Sequence, residues 1–249
     1  MKLLVDDAVV LAGGTGRVGG ATLATLVSEG ARVLVVSRDL ERARRTIDDL
    51  LDGDEAAACV PLAADLSDQA QGQRAIDACV ERFGRIDAVV NLAGGRAGWT
   101  ALVDSTSAEL RSAYAAFVET AYNLTVPALR AMLAQPYREG ARSRGRIVTV
   151  TAGSSKDPAP SRGLFGAAKA AVNVLMQAVA REHKADGIVA NAIVLGTVAT
   201  DAARSYLDGD EFKAAASPQE VADVLAFLAS DRCTGINGAL VDVNAREVD

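Results

Sequence analysis

The chain has 249 residues, 26 of them basic and 32 acidic, for a net charge of −6. At roughly 100–200 residues per domain it is one large or two small domains, and it is long enough to bury a sizeable core. Half of the residues are hydrophobic and only 4% aromatic, so Ala, Val, Leu and Ile must build that core; disorder, collagen-like repeats and disulfide scaffolds are excluded.

Short β-branched runs at 9–11, 33–36, 88–90, 147–150 and 188–195 read as buried strands, and 57–61 and 239–243 as two weaker ones. Between them lie helical patterns at 18–29, 40–51, 69–83, 107–134, 164–185 and 217–230. Continuous apolar strands separated by helices imply a parallel sheet covered on both faces, in one α/β doubly wound domain over 1–249 with about seven strands. In the long helices, Leu110, Tyr114, Phe117, Ala121, Leu124 and Ala128 form one stripe, and Phe165, Ala168, Val172, Leu175 and Val179 another. Arg138, Arg142, Arg144 and Arg146 precede a strand and read as a solvated loop.

The acidic balance argues against nucleic acid, whose phosphates require a basic face, and points to small molecules. Cys59, Cys79 and Cys233 fit no C-x-x-C spacing, which suggests a reduced, cytoplasmic setting. The single histidine, His183, rules out a His-rich metal site and reads as solvated between Glu182 and Lys184; no metal is expected. Residues 1–7 lack a signal-peptide pattern. The longest apolar stretch, 188–199, is interrupted by Asn191 and Thr197 and is too short to span a bilayer, so no membrane contact is expected.

The first strand runs into Ala12-Gly13-Gly14-Thr15-Gly16-Arg17-Val18-Gly19, and a helix follows at once. In that context a glycine-rich turn lets the backbone approach a pyrophosphate at a helix N-terminus, which predicts dinucleotide binding. The second strand ends in Ser37-Arg38, where an acidic residue would select NAD by bonding the ribose 2′-hydroxyl. A hydroxyl and a cation suit a 2′-phosphate instead, and Arg17 adds a second cation, so NADP(H) is favoured over NAD(H). Pairing of Arg38 with Asp39 or Glu41 is the competing role.

These features make the sequence resemble the short-chain dehydrogenase/reductase family over nearly its whole length. Asp65-Leu66 resembles the segment that holds the adenine ring there. Asn91-Leu92-Ala93-Gly94 resembles the family's Asn-Asn-Ala-Gly, and Leu195-Gly196, Val198 and Thr200 resemble its nicotinamide-pocket stretch. Residues 217–238 resemble its last helix and strand. The resemblance implies a Rossmann domain, a nicotinamide cofactor, a small-molecule substrate and a homo-oligomer paired through the two long helices. The glycine loop departs from the compact members' T-G-x-x-x-G-x-G, with Ala12 for Thr and Arg17 for the middle Gly.

The chemical centre departs further. The family uses Tyr-x-x-x-Lys with a Ser about thirteen residues earlier. Lys169 matches the lysine, but Phe165 stands for the tyrosine, Ala152 for the serine and Phe117 for a supporting Asn. A two-residue slip would put Ser154 in the serine's place. No slip supplies a tyrosine, since Tyr114, Tyr122, Tyr137 and Tyr206 all lie far from Lys169 in sequence. Lys169 is left to contact the nicotinamide ribose. Without a phenol beside the lysine, ordinary ketone reduction loses its general acid, an effect of about 10²–10⁴ in rate. The sequence thus points to an NADP(H)-dependent oxidoreductase of altered or weak activity, with a proton from water, the substrate, Ser154, Lys156 or Arg162. The alternatives are a non-catalytic dinucleotide-binding sensor or partner subunit, and an enzyme that needs no external proton relay.

Overall fold

The computed structural model describes residues 2–95, 98–205 and 207–244; Tyr206 lies outside them. Its centre is a seven-stranded parallel sheet of order β3-β2-β1-β4-β5-β6-β7. The strands are β1 Ala8–Ala12, β2 Arg32–Ser37, β3 Cys59–Ala63, β4 Ala88–Asn91, β5 Gly145–Ala152, β6 Ile188–Leu195 and β7 Leu240–Val243. The helices are α1 Arg17–Ser28, α2 Leu40–Leu50, α3 Gly53–Ala57, α4 Gln69–Phe83, α5 Ser107–Tyr114, α6 Thr120–Ala134, α7 Gly163–Glu182, α8 Gly209–Ala214 and α9 Pro218–Ala229.

Period-two alternation divides the strand side chains between two cores. Val9 and Leu11 pack with Leu23 of α1, Ile47 of α2 and Leu225 of α9. Val10 and Leu34 pack on the other face with Ile76 of α4, Leu124 of α6 and Met176 of α7. The strand order reverses between β1 and β4, and α/β sheets of this kind bind ligands at that point, beyond the strands' C-terminal ends. α7 is long and apolar enough to cross a membrane by length and composition, but its Val172, Met176 and Val179 are buried in the domain.

Four expectations change. The helix expected at 107–134 is interrupted by a π-helical turn at Ala115–Glu119, where the Thr120 hydroxyl donates to the Ala115 carbonyl at 3.2 Å. The extra residue in that turn breaks the 3.6-residue stripe, so Leu110 and Tyr114 stay partly exposed while Phe117, Ala121 and Leu124 are buried. The strand expected at 57–61 starts two residues later, because α3 takes up the chain to Ala57.

Nor do the four arginines form a solvated loop. Arg146 is buried and pairs with Asp7 at 2.7 Å and Asp231 at 3.4 Å; Arg138 reaches Asp7 at 2.8 Å. Arg144 stacks on Tyr137 and donates to the carbonyls of Leu133 and Gln135, leaving Arg142 the exposed one. Arg138, Arg144 and Arg146 gather at the N-terminal ends of β1 and β5, where Asp7, Asp231 and backbone carbonyls accept from them. His183 is only partly exposed, and its Nδ1 lies 3.0 Å from Asp186 in the turn after α7.

Candidate active site

The turn between β1 and α1 is built around glycines for two separate reasons. Gly13 has φ +80°, and a Cβ there would lie 2.8 Å from the Leu92 carbonyl carbon. A Cβ on Gly19 would collide with the Gly13 carbonyl oxygen, so only glycine lets α1 start this close to the turn. Gly16 differs: it is extended, and a Cβ would meet nothing nearer than 3.9 Å. Its missing side chain leaves a hollow at the N-terminus of α1, whose first turn has no acidic residue and no side-chain cap. Unsatisfied N–H groups beside an open hollow fit a pyrophosphate, so the residues present suit a dinucleotide.

That hollow is one end of a cleft of about 620 Å³. Of the expected residues, Gly13, Thr15, Gly16, Ser37, Arg38, Asp65, Leu66, Ala93 and Gly94 line it. Asn91 lies behind it, buried, its Oδ1 accepting from the Ala93 N–H at 2.9 Å and so shaping the lining turn. Val18 and Gly19 belong to the supporting first turn of α1.

Gly196, Val198 and Thr200 lie outside the cleft lining, in the loop after β6. The Gly196 N–H bonds the Val243 carbonyl, Val198 pairs with Ala216, and the Thr200 hydroxyl accepts from the Ala203 N–H. Arg17 forms an ion pair with Asp201, linking this loop to the glycine turn. Both side chains of that pair are largely exposed, and Arg17 is not among the residues that line the cleft.

The β2 end of the cleft answers the competing role of Arg38. Asp39 caps α2 by accepting from the Arg42 N–H at 3.0 Å, and Glu41 pairs with Arg44. Arg38 therefore pairs with neither and lines the cleft with Ser37. Its field helps hold the Asp65 carboxyl below the usual range, although the main cause is hydrogen bonding from the Ser67 hydroxyl and N–H.

Two contributors went unnoticed in the sequence. Arg42 lines the cleft and donates to the Thr15 carbonyl at 3.1 Å, tying α2 to the glycine turn. Asn123 of α6 donates to the carbonyls of Leu66 and Ser67 at 3.0 and 3.1 Å and fixes the 65–67 turn. The only sequence signal was a polar residue inside an apolar helix face.

Behind Gly94, outside the residues that line the cleft, lies an aromatic row. Gly94 lies directly under the Phe117 ring, which its missing Cβ would otherwise touch at 2.9 Å. Phe165, in the first turn of α7, meets Phe117 edge-on at 5.2 Å and Trp99 edge-on at 5.7 Å. Lys169, one turn after Phe165, is buried; its Nζ donates to the Val150 carbonyl at 2.9 Å and lies 4.8 Å from the Phe117 ring centre. Burial without a carboxylate partner lowers its pKa to about 8. Ala152 ends β5 beside this group, and Ser154 is buried just beyond it. Lys156 is committed to Asp242 at 2.7 Å.

The short chain dehydrogenase family model matches residues 7–211. The chain is 29% identical to an A-factor type gamma-butyrolactone 1′-reductase of Streptomyces virginiae, over 97% of this chain and 95% of that one. It is 27% identical to a 2,3-dihydroxy-2,3-dihydro-p-cumate dehydrogenase of Pseudomonas putida, over 97% and 94%. Among solved structures, a short chain dehydrogenase from Mycobacterium smegmatis superposes with a TM-score of 0.82 at 27% identity, covering 100% of this chain and 95% of that one. The family match, the sheet order and the cleft at the strand reversal agree: the chain belongs to the short-chain dehydrogenase/reductase family.

Proposed function

We propose that the protein is a cytoplasmic NADP(H)-dependent oxidoreductase whose chemical centre has lost its proton-donating tyrosine, with Phe165 and Ala152 standing where the family has Tyr and Ser. Members of the family bind nicotinamide dinucleotides, and their oxidoreductase chemistry is the class assigned here. The observation that carries the NADP(H) reading is Arg38, which lines the cleft beside Ser37 while both neighbouring carboxylates are engaged elsewhere. A guanidinium and a hydroxyl at that place recognise a phosphate better than a ribose diol.

When bound, the nicotinamide supplies hydride. The N–H groups at Gly16 and the first turn of α1 would hold the pyrophosphate, Asp65 and Leu66 would flank the adenine, and Ala93 and Gly94 would form the floor beneath the nicotinamide. Lys169 sits deep behind Phe117 and Phe165, where it sets a positive field and donates no proton through a phenol. A proton for a carbonyl substrate would then come from water, from the substrate, or from Ser154 or Arg162; Lys156 is paired with Asp242. The lack of a hydroxyl at Phe165 and Ala152 also favours a second reading, a dinucleotide-binding sensor or partner subunit without turnover.

Titration of the purified protein with NADPH and NADH, followed by carbonyl and imine substrate panels, tests the proposal. Tighter NADPH binding with turnover of at least one substrate supports it. NADPH binding without turnover leaves the sensor reading, and failure to bind either dinucleotide removes both.

A further inference from the structure

The aromatic wall ends in a guanidinium. Arg162 Cζ lies 4.4 Å from the centre of the Trp99 ring, so that Arg162, Trp99, Phe165, Phe117 and Lys169 form one continuous row from the surface to the core. Stacking on indole occupies the guanidinium's face and leaves its N–H edge free to donate. Among the described residues Arg162 has no carboxylate partner. Glu109, which contacts Thr100 next to Trp99, is held in the helix cap by Thr106, and Asp242 is held by Lys156.

Two further features fix and extend this group. Ser161, directly before Arg162, has φ +63°, a left-handed conformation that non-glycine residues rarely adopt, and it directs the chain into α7. Trp99 and Leu102 are exposed, and Leu102 lies against Gly163, so flat apolar surface adjoins the guanidinium. Cations at both ends of the row disfavour a cationic substrate.

We propose that Arg162, stacked on Trp99, binds the carboxylate of a substrate with a flat apolar body, which lies along Trp99 and Phe165 toward the reacting end of the cleft. The substrate class is therefore an apolar unsaturated or cyclic acid. The inference rests on the reading that this end of the cleft is where the substrate reacts, but the contact itself requires no turnover.

Trp99 is the only tryptophan in the chain and reports on the site directly. Its emission is followed while the protein, with and without saturating NADP⁺, is titrated with cyclohexenecarboxylate or with the uncharged cyclohexenecarboxamide. Calorimetry provides the second readout. The acid should bind about two- to fivefold more tightly than the amide, the range for a solvent-exposed Arg–carboxylate pair. Arg162→Gln should abolish that preference, and Arg162→Lys should keep part of it, because charge remains but the planar fork is lost. Equal binding of acid and amide, a preference that survives in Arg162→Gln, or no saturable response to the acid would each overturn the proposal. NADPH binding is scored separately in the same samples, so loss of the cofactor reading is distinguishable from loss of this one.

Discussion

The ammonium of Lys169 lies 4.8 Å from the centre of the Phe117 ring, and its one hydrogen-bond acceptor among the described residues is the Val150 carbonyl. A ring and a carbonyl replace only part of the lost hydration, so burial lowers the amine from 10.5 to about 8. Between these values the unfolded chain binds more protons than the folded one, so stability rises with pH across that window; below about 8 both states are charged and the penalty is complete. Relative to Lys169→Met, which keeps the volume without the charge, the parent should gain about 3 kcal/mol through the window. Denaturant unfolding of both proteins from neutral pH upward measures this. Parallel stability profiles would mean that Lys169 titrates like an exposed lysine.

Two glycines of one turn should respond in opposite ways. Gly19→Ala drives a methyl into the Gly13 carbonyl and should destabilise the domain by about 2–3 kcal/mol. Gly16→Ala meets open space and should cost at most about 1 kcal/mol, as alanine does in place of glycine at a helix N-cap, while filling the hollow proposed for the pyrophosphate. Dinucleotide affinity in Gly16→Ala should fall roughly tenfold or more. Melting curves and binding titrations on both variants check the contrast; normal binding by Gly16→Ala would remove the hollow from the site.

If Arg38 meets the 2′-phosphate, as proposed, Arg38→Ala should weaken NADPH binding about tenfold and leave NADH binding nearly unchanged. Arg42→Ala should weaken both, since its bond to the Thr15 carbonyl holds the turn that every dinucleotide uses. Calorimetric titration of each variant with each dinucleotide gives the four affinities needed. An equal loss for both dinucleotides in Arg38→Ala would show Arg38 to be a general charge.

The long helices should pair two copies. Leu110, Tyr114, Tyr122 and Val174 are large apolar residues left partly exposed on α5, α6 and α7. An isologous contact would bury the same surface from each subunit. Light scattering across a wide concentration range should give a particle heavier than 25.7 kDa; a constant 25.7 kDa would refute this.

The fold was legible because β-branched runs and helical stripes report burial directly, and the glycines at 13 and 19 report backbone clearance. What escaped was set by contacts distant in sequence. Arg146 looked like part of a charged loop until Asp7, 139 positions away, met it in the core. Arg42 and Asn123 carry no motif, and their use depends on which carbonyls the tertiary fold brings opposite them. Nothing in the sequence pattern announced the π turn at 115–119, which interrupts the expected stripe and seats Phe117 against Gly94 and Lys169.

If Phe165 and Ala152 stand for the family's Tyr and Ser, as proposed, the two hydroxyls can be put back. Phe165 already stands one helical turn from Lys169, with its ring fixed edge-on between Trp99 and Phe117. Phe165→Tyr adds one oxygen to a ring already in place, and Ala152→Ser adds one atom at the end of β5. The buried ammonium beside the new phenol would favour its ionised form and lower its pKa toward neutrality. A general acid of that kind is worth about 10²–10⁴ in rate, and the serine would act with it as a unit, so the double variant should exceed either single one. Steady-state NADPH oxidation with a ketone panel measures the gain, and NADPH affinity should stay at the parent value. A large gain would mean that the parent keeps the scaffold but lacks the acid. If the parent already turns over a substrate at ordinary rates and the double variant is slower, the chemistry runs through other groups, with the 154–163 loop the first place to mutate.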